Sequence, residues 1–269
     1  MPARDRMTEL ALVASAAFLP LCTIPGREAE AVEAEGIDSS LWDKLLRANV
    51  TPEGWVNYTQ LRGKDAADLG AYLKIVAEAD PAKLGDVNNQ RAFWINAYNA
   101  LCVQAMIDEG VPAEVPHARV FGTNIFTQRK RKVAGTVRSL DDIEHGILRK
   151  DLKDPRLHAA LVCGARSCPR LRPEAFRGDQ LDRQLDEEAR SWIGVEKTEK
   201  GGRKNYLDRK ERVFYVSRIF YWYSEDFGGG DAGVLDFVTK YADDSDREFL
   251  AKNKVSVEYL DYDWSTNKQ

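Results

Sequence analysis

The chain has 269 residues, 43% of them hydrophobic, which is enough apolar material to bury a sizeable core and excludes a disordered or fibrous protein. Its 39 basic and 43 acidic residues give a formal net charge of -4, so no general attraction to nucleic acid or to an anionic membrane surface is expected. The one basic run, Arg129-Lys130-Arg131-Lys132, reads as a solvated hairpin or loop.

Two arginines precede an apolar run over residues 10–24, broken only by Ser15, Pro20 and Thr23. That run has about the length of a signal-peptide core and is short for a membrane span. Residues 1–24 are therefore expected to be a signal peptide and the protein to be exported, with the membrane reached only through this segment if it stays uncleaved. Asp5 and Glu9 dilute the positive start, and no small-x-small cleavage site follows. Its removal leaves Cys102, Cys163 and Cys168, an odd number, so at least one thiol stays free unless chains pair. Residues 25–39 are acidic and Ala-rich, with few large apolar groups, and read as a linker. Without internal repeats or a second Pro/Gly-rich break, residues 40–267 read as a single domain.

Within that domain, Leu41, Trp42, Leu45 and Leu46 have helical spacing, as do Leu69, Tyr72, Leu73 and Val76 ahead of Asp80-Pro81. The segment "NQRAFWINAYNALCVQAMIDEG" is apolar on nearly every side and predicts a helix buried all round. Asn96 and Asn99 share a face of it and must find partners inside the protein, either as amides tied to backbone or as ligand or oxyanion contacts. After a Gly- and Thr-containing loop, "RKVAGTVRSL" predicts a hairpin turning near Gly135. Ser139 with Asp142 three residues on resembles a capping box and predicts a helix over 140–150. A buried strand is predicted at 157–163, an amphipathic helix at 181–193 and a strand at 213–216. An aromatic helix follows in "SRIFYWYSEDF", and a C-terminal strand in "VSVEYLDYDW". The fold class is α+β, with a buried central helix packed on a small, mostly antiparallel sheet.

On the helix after Ser139, Leu140, Ile143, Ile147 and Leu148 form an apolar stripe, with Glu144 projecting into its middle and His145 at its margin. A carboxylate there needs a donor or a raised pKa, because burying it ionised and unpartnered costs several kcal/mol. Glu144 is either a structural group or the one that orients an imidazole. Neighbouring helical residues diverge by about 100°, so a direct bond to His145 is not implied.

In "RLHAALVCGARSCPRL", residues 156–171, strand alternation puts His158 on the face opposite Cys163, where it reads as a core histidine. Cys163 ends the strand, and Cys168 sits in the following loop, where reactive groups are commonly displayed. Four readings stay open. A nucleophile needs its thiolate favoured by an imidazole, a helix N-terminus or a cation such as Arg166. Zinc held by Cys163, Cys168, His158 and His145 would have the right ligand types in a weakly diagnostic spacing. A Cys163–Cys168 disulfide is sterically feasible, and both thiols as inert buried groups complete the set.

Taken together, "AFWINAYNAL", "SLDDIEHGILR", "LHAALVCGARSCPRL", "SRIFYWYSEDF" and "YLDYDWSTN" resemble, in this order, domain-of-unknown-function family 547, over about residues 50–267. Bacterial members resemble exported proteins, which agrees with the leader and implies a periplasmic location. The resemblance implies a papain-like or glutathione-processing cysteine-hydrolase relationship, in a permuted arrangement because the thiol follows the histidine. It puts the nucleophile at Cys168 or Cys163, the imidazole at His145 with His158 second, and the carboxylate at Glu144. The expected activity is cysteine-dependent hydrolysis or transfer at an amide bond of a small peptide-like substrate, γ-glutamyl peptides included, without a cofactor. Asn96, Asn99 and Arg166 are the expected substrate or oxyanion contacts. The rival readings are a non-catalytic exported domain that binds a ligand or protein through "FYWYSEDF", and a zinc-binding domain using the same Cys/His cluster.

Overall fold

The structure is a computed structural model that describes residues 37–117, 124–196 and 204–269. The expected signal peptide, most of the acidic linker and the Gly- and Thr-containing loop lie outside the described residues.

Helix α1 (Ser40–Asn49) buries Trp42, Leu45 and Leu46 along one face. The short α2 (Tyr58–Arg62) leads into α3 (Ala66–Glu78), whose buried Tyr72 stacks on Trp42 with ring centroids 5.6 Å apart. Helix α4 (Val87–Asp108) starts at Asp86, whose carboxylate accepts the Asn89 N–H at 2.8 Å, and is enclosed on nearly every face between Ala92 and Met106. It stops at Gly110, where φ is +76° and the Val111 N–H reaches back to the Met106 carbonyl at 2.8 Å. Among the described residues no helix is long and apolar enough to cross a membrane.

A single turn, α5 (Ile125–Gln128), precedes the hairpin of β1 (Arg131–Val133) and β2 (Thr136–Arg138). Its turn residues Ala134 and Gly135 have φ of +47° and +76°, the primed geometry that matches strand twist. Their N–H groups cap the last carbonyls of α3, bonding Val76 and Ala77 at 2.9 and 3.0 Å. The basic run is solvated as expected, with Arg129 paired to Glu109 and Arg131 to Asp108.

The capping box forms at Ser139 and Asp142 and starts α6 (Leu140–Ile143). The helix then widens into one π turn (Glu144–Leu148), in which the Arg149 N–H bonds the Glu144 carbonyl five residues back at 2.8 Å.

The expected strand at 157–163 does not form. Asp154 accepts the Arg156 N–H at 2.9 Å and Pro155 fixes the first position, so residues Pro155–Ala159 wind into a 3₁₀ turn. Residues 160–163 that follow lie in no strand. Their backbone is held instead by the Asn99 amide, which donates to the Ala160 carbonyl and accepts the Val162 N–H, each at 2.9 Å. A short apolar run reads alike for any segment buried on both sides, which is why periodicity failed here.

Helix α7 (Leu181–Gly194) follows, then a three-stranded mixed sheet of β3 (Tyr206–Asp208), β4 (Val213–Val216) and β5 (Ser256–Tyr259). The central strand β4 is antiparallel to β3 and parallel to β5, with Val213 opposite Ser256 and Val216 opposite Tyr259. Helices α8 (Arg218–Trp222), α9 (Gly230–Tyr241) and α10 (Asp244–Lys252) fill the crossover between β4 and β5. Two apolar clusters result. The larger gathers α1 to α4 and α6, with α4 central; the smaller joins the sheet to α7, α8 and α9, with Trp192 stacked on Phe220 at 4.7 Å. The architecture is a single α+β domain with helices dominant.

Candidate functional site

The site is built on the loop 163–168. Gly164 takes φ of +86° there, a conformation that strains any side chain, and a Cβ would lie 3.4 Å from Met106 Cγ. The C-terminal segment closes over this loop. Arg166 N–H donates to the Ser265 carbonyl at 2.8 Å, Asn267 N–H to the Gly164 carbonyl at 2.9 Å, and Asp263 N–H to Ser167 Oγ at 2.8 Å. Behind the loop, buried Lys204 donates to the Cys168 carbonyl and pairs with Glu196 at 2.9 Å. Arg170 and Arg172 share the fully buried Glu188 at 2.8 and 2.7 Å. Backbone pairing on one side and buried ion pairs on the other fix where the two sulfurs stand.

Cys163 and Cys168 are both free thiols, as is Cys102, which is enclosed within α4 and pushed up in pKa by burial. The Cys163 N–H donates to Cys168 Sγ at 3.0 Å, and Cys163 Sγ lies 3.3 Å from the Tyr262 hydroxyl. Hydrogen bonding from the Cys168 thiol lowers the Cys163 pKa. Burial opposes it, and the Tyr262 hydroxyl and Ala165 N–H tip the balance toward the thiolate. Cys168 is its opposite: burial and the adjoining Cys163 sulfur hold its proton on well above the ordinary thiol range.

Both cysteines, Glu144 and the protein's three histidines open onto one cavity of about 340 Å³, rimmed by Trp222, Tyr262 and Trp264. The π turn and the missing strand explain this convergence. Widening the turn lets Glu144 and His145 line the same hollow, and without strand alternation His158 and Cys163 no longer point apart. No hydrogen bond joins any of these histidines to either sulfur among the described residues.

His158 Nε2 lies 2.7 Å from Asp226 Oδ2, and its ring stacks on Tyr223 at 4.5 Å. Because the carboxylate only accepts, Nε2 carries a proton, and in the neutral ring the lone pair is on Nδ1. Burial alone would raise the Asp226 carboxyl, but hydrogen bonds from His158 and from Arg149, at 2.5 Å, outweigh it and hold it well below the usual carboxylate range. Arg149 also donates to His145 Nδ1 at 2.7 Å, which directs the His145 Nε2–H toward Asp141 Oδ1 at 3.4 Å.

The expected Glu144–His145 pair is therefore absent. Glu144 accepts instead from Tyr98 at 2.9 Å and from Tyr223, two phenols that burial keeps protonated. His145 accepts from Arg149 and faces Asp141 with its Nε2–H. Asn96 and Asn99 do not line the cavity: each amide is spent on backbone, Asn96 bonding the Phe176 carbonyl and N–H at 2.8 and 3.0 Å. Arg166 is turned toward the Thr266 carbonyl and the Trp55 ring. Among the described residues no three His, Cys, Asp or Glu side chains converge so as to hold a metal ion, so the expected zinc ligand set does not assemble.

Asp226, Arg149, Tyr98, Tyr223, Tyr262 and His117 enter the site unforeseen. His117 stacks on Trp264 at 3.9 Å and anchors Nδ1 on the Val115 carbonyl at 2.9 Å. Asp226 and Tyr262 do lie in "SEDF" and "YLDYDW", two of the motifs that carry the family resemblance, and that was the available signal.

Residues 82–193 match the family described as "Protein of unknown function, DUF547". The motifs holding Asp226 and Tyr262 lie beyond the matched segment. No curated protein and no solved structure matches the chain. The matched segment carries both cavity cysteines and all three histidines, and over those residues the chain is similar to the DUF547 family, whose description assigns no function.

Proposed function

We propose that this protein is a cysteine-dependent hydrolase or transferase acting on an amide bond of a small peptide-like substrate. The observation that carries the reading is a thiol favoured as thiolate, Cys163, opening into the same cavity as an imidazole whose far nitrogen is held by a carboxylate. In this reading the Cys163 proton passes to His158 Nδ1 through a bridging water, since imidazole and sulfur do not touch. The thiolate then attacks the carbonyl carbon, a C–S bond forms, and the amine leaves with the proton from the imidazolium. Water, or an acceptor amine in a transfer reaction, releases the acyl group by the same steps reversed. Asp226 keeps the imidazole oriented, and Arg149 fixes Asp226. The Tyr262 hydroxyl, already on the sulfur, is the donor placed to follow charge onto the carbonyl oxygen.

These roles move the expected imidazole from His145 to His158 and the carboxylate from Glu144 to Asp226. Export to the periplasm and γ-glutamyl peptides as substrates belong to the same proposal. The leader sequence supports the first, and the second rests on the family resemblance alone. The test is a panel of small peptide amides, γ-glutamyl amides included, with acyl-enzyme followed by intact mass. An adduct on the peptide carrying Cys163 that disappears in Cys163→Ala supports the reading. Hydrolysis that survives Cys163→Ala combined with Cys168→Ala overturns it. A second reading, a non-catalytic binding domain, is favoured by the exposure of Tyr221 (60%) and Trp222 (41%) beside the cavity mouth. It predicts ligand-dependent quenching of tryptophan fluorescence without turnover.

A further inference from the structure

One feature of the loop 163–168 is not needed for amide chemistry. The second thiol, Cys168, is 3% exposed and is neither base nor oxyanion donor, yet its sulfur accepts the Cys163 N–H at 3.0 Å and lines the same cavity as the Cys163 sulfur. Cys163 is partly exposed to the cavity, whereas Cys168 lies deeper, its Sγ 3.6 Å from the Leu161 carbonyl. One sulfur is thus reachable and the other lies deeper, against the backbone of the first. That is the arrangement of an attacking thiol and a resolving thiol, and the short loop between them turns on Gly164, whose positive φ lets the chain fold back on itself.

We propose that Cys163 and Cys168 form a reversible thiol–disulfide pair in which Cys163 is oxidised first by a hydroperoxide and Cys168 resolves it. In the first step the Cys163 thiolate attacks the terminal peroxide oxygen. An S–O bond forms, the O–O bond breaks, and the alkoxide leaves and is protonated to the alcohol, so Cys163 becomes the sulfenic acid. In the second step the Cys168 sulfur, giving up its proton, attacks the Cys163 sulfur. The S–S bond forms, the S–O bond breaks, and hydroxide takes the proton to leave as water. Two thiols are oxidised and one peroxide is reduced. Burial is the larger cause that holds the Cys168 proton on, and the second, the neighbouring Cys163 sulfur as thiolate, has been consumed at this stage. A dithiol reverses the change. The pair does not depend on the amide-bond chemistry proposed above, but its oxidised form would remove the nucleophile and switch that chemistry off.

The sequence supplies a clean readout. Trypsin cuts after Arg156, Arg166 and Arg170, so Cys163 and Cys168 fall on different peptides, "LHAALVCGAR" and "SCPR", which a disulfide joins at a mass distinct from that of the uncut segment. The full chain, reduced and then treated with one equivalent of hydrogen peroxide, should lose the mass of two hydrogen atoms, yield that joined pair, and return to its starting mass with dithiothreitol. In Cys168→Ser, dimedone should label Cys163 as the trapped sulfenic acid, while the wild type gives little label. Should Cys168→Ser misfold, the wild-type mass map decides by itself. Separate unlinked peptides with Cys163 stopped at sulfenic or sulfinic acid, or a linkage from Cys102, would overturn the proposal. Because mass is read and no substrate is used, failure here is distinct from failure of the hydrolase reading.

Discussion

Asn99 is the residue whose loss should cost most for its size. Its amide donates to the Ala160 carbonyl and accepts the Val162 N–H, each at 2.9 Å, in a place 2% exposed. No strand supplies a partner for that backbone, so Asn99→Ala leaves one buried donor and one buried acceptor bare. Each costs about 1–3 kcal/mol, for a total of about 2–6 kcal/mol. In a domain of this size a loss near the middle of that range, about 4 kcal/mol, lowers Tm by roughly 8–16 °C. Asn99→Asp keeps an acceptor for Val162 but sets a carboxylate oxygen against the Ala160 carbonyl, and should do no better. Thermal unfolding followed by circular dichroism, with Gln104→Ala on the same helix as a control expected to stay within about 0.5 kcal/mol, measures this. A Tm for Asn99→Ala within about 2 °C of wild type would refute the idea that one side chain stands in for a missing strand. The effect should reach the site, because the segment so held runs directly into Cys163.

Other consequences follow from the same geometry. Glu188→Ala leaves Arg170 and Arg172 without their shared counter-charge, and urea unfolding should show a loss of about 3–5 kcal/mol; a loss below about 1 kcal/mol would mean that water, with Glu174 and Glu187 beside Arg172, suffices for the two arginines. Asp226 has a depressed pKa in the fold, so its stabilisation is complete above the unfolded value of about 3.9 and fades as pH falls below it. The stability gap between wild type and Asp226→Asn should therefore be wide at pH 7 and close as pH falls from about 5 toward 2, and a gap independent of pH would contradict the pairing with His158 and Arg149. Tyr262→Phe removes one of the donors to the Cys163 sulfur and should shift its alkylation profile to higher pH without moving Tm by more than a few degrees. An unchanged profile would remove Tyr262 from the site.

Much of the helical framework was legible because it rests on local rules. The capping box at Ser139 and Asp142, the turn at Gly135 and the apolar faces of α3 and α7 are each decided within a few residues. The enclosed helix around Asn96 and Asn99 was legible too, and so was the need of those amides for internal partners. The site was legible in its ingredients and not in its pairings. Both cysteines, Glu144 and the histidines of the two flagged motifs do share one cavity. What spacing could not show is that Asp226 would take His158, that Arg149 would take both Asp226 and His145, and that Tyr98 and Tyr223 would occupy Glu144. Those bonds join residues brought together by packing, and a π turn and a 3₁₀ turn changed the directions in which Glu144, His145 and His158 point. Neither turn has a local signature as firm as a cap.

The most direct test of the account is the pH dependence of Cys163 alkylation in the intact protein. Iodoacetamide incorporation into "LHAALVCGAR" should be faster than into "SCPR" and should rise with a midpoint below the ordinary thiol value of about 8.5. His158→Asn and Asp226→Asn should each slow the reaction at neutral pH. A midpoint at or above the ordinary value, or Cys168 reacting first, would contradict the assignment of Cys163 as the activated thiol.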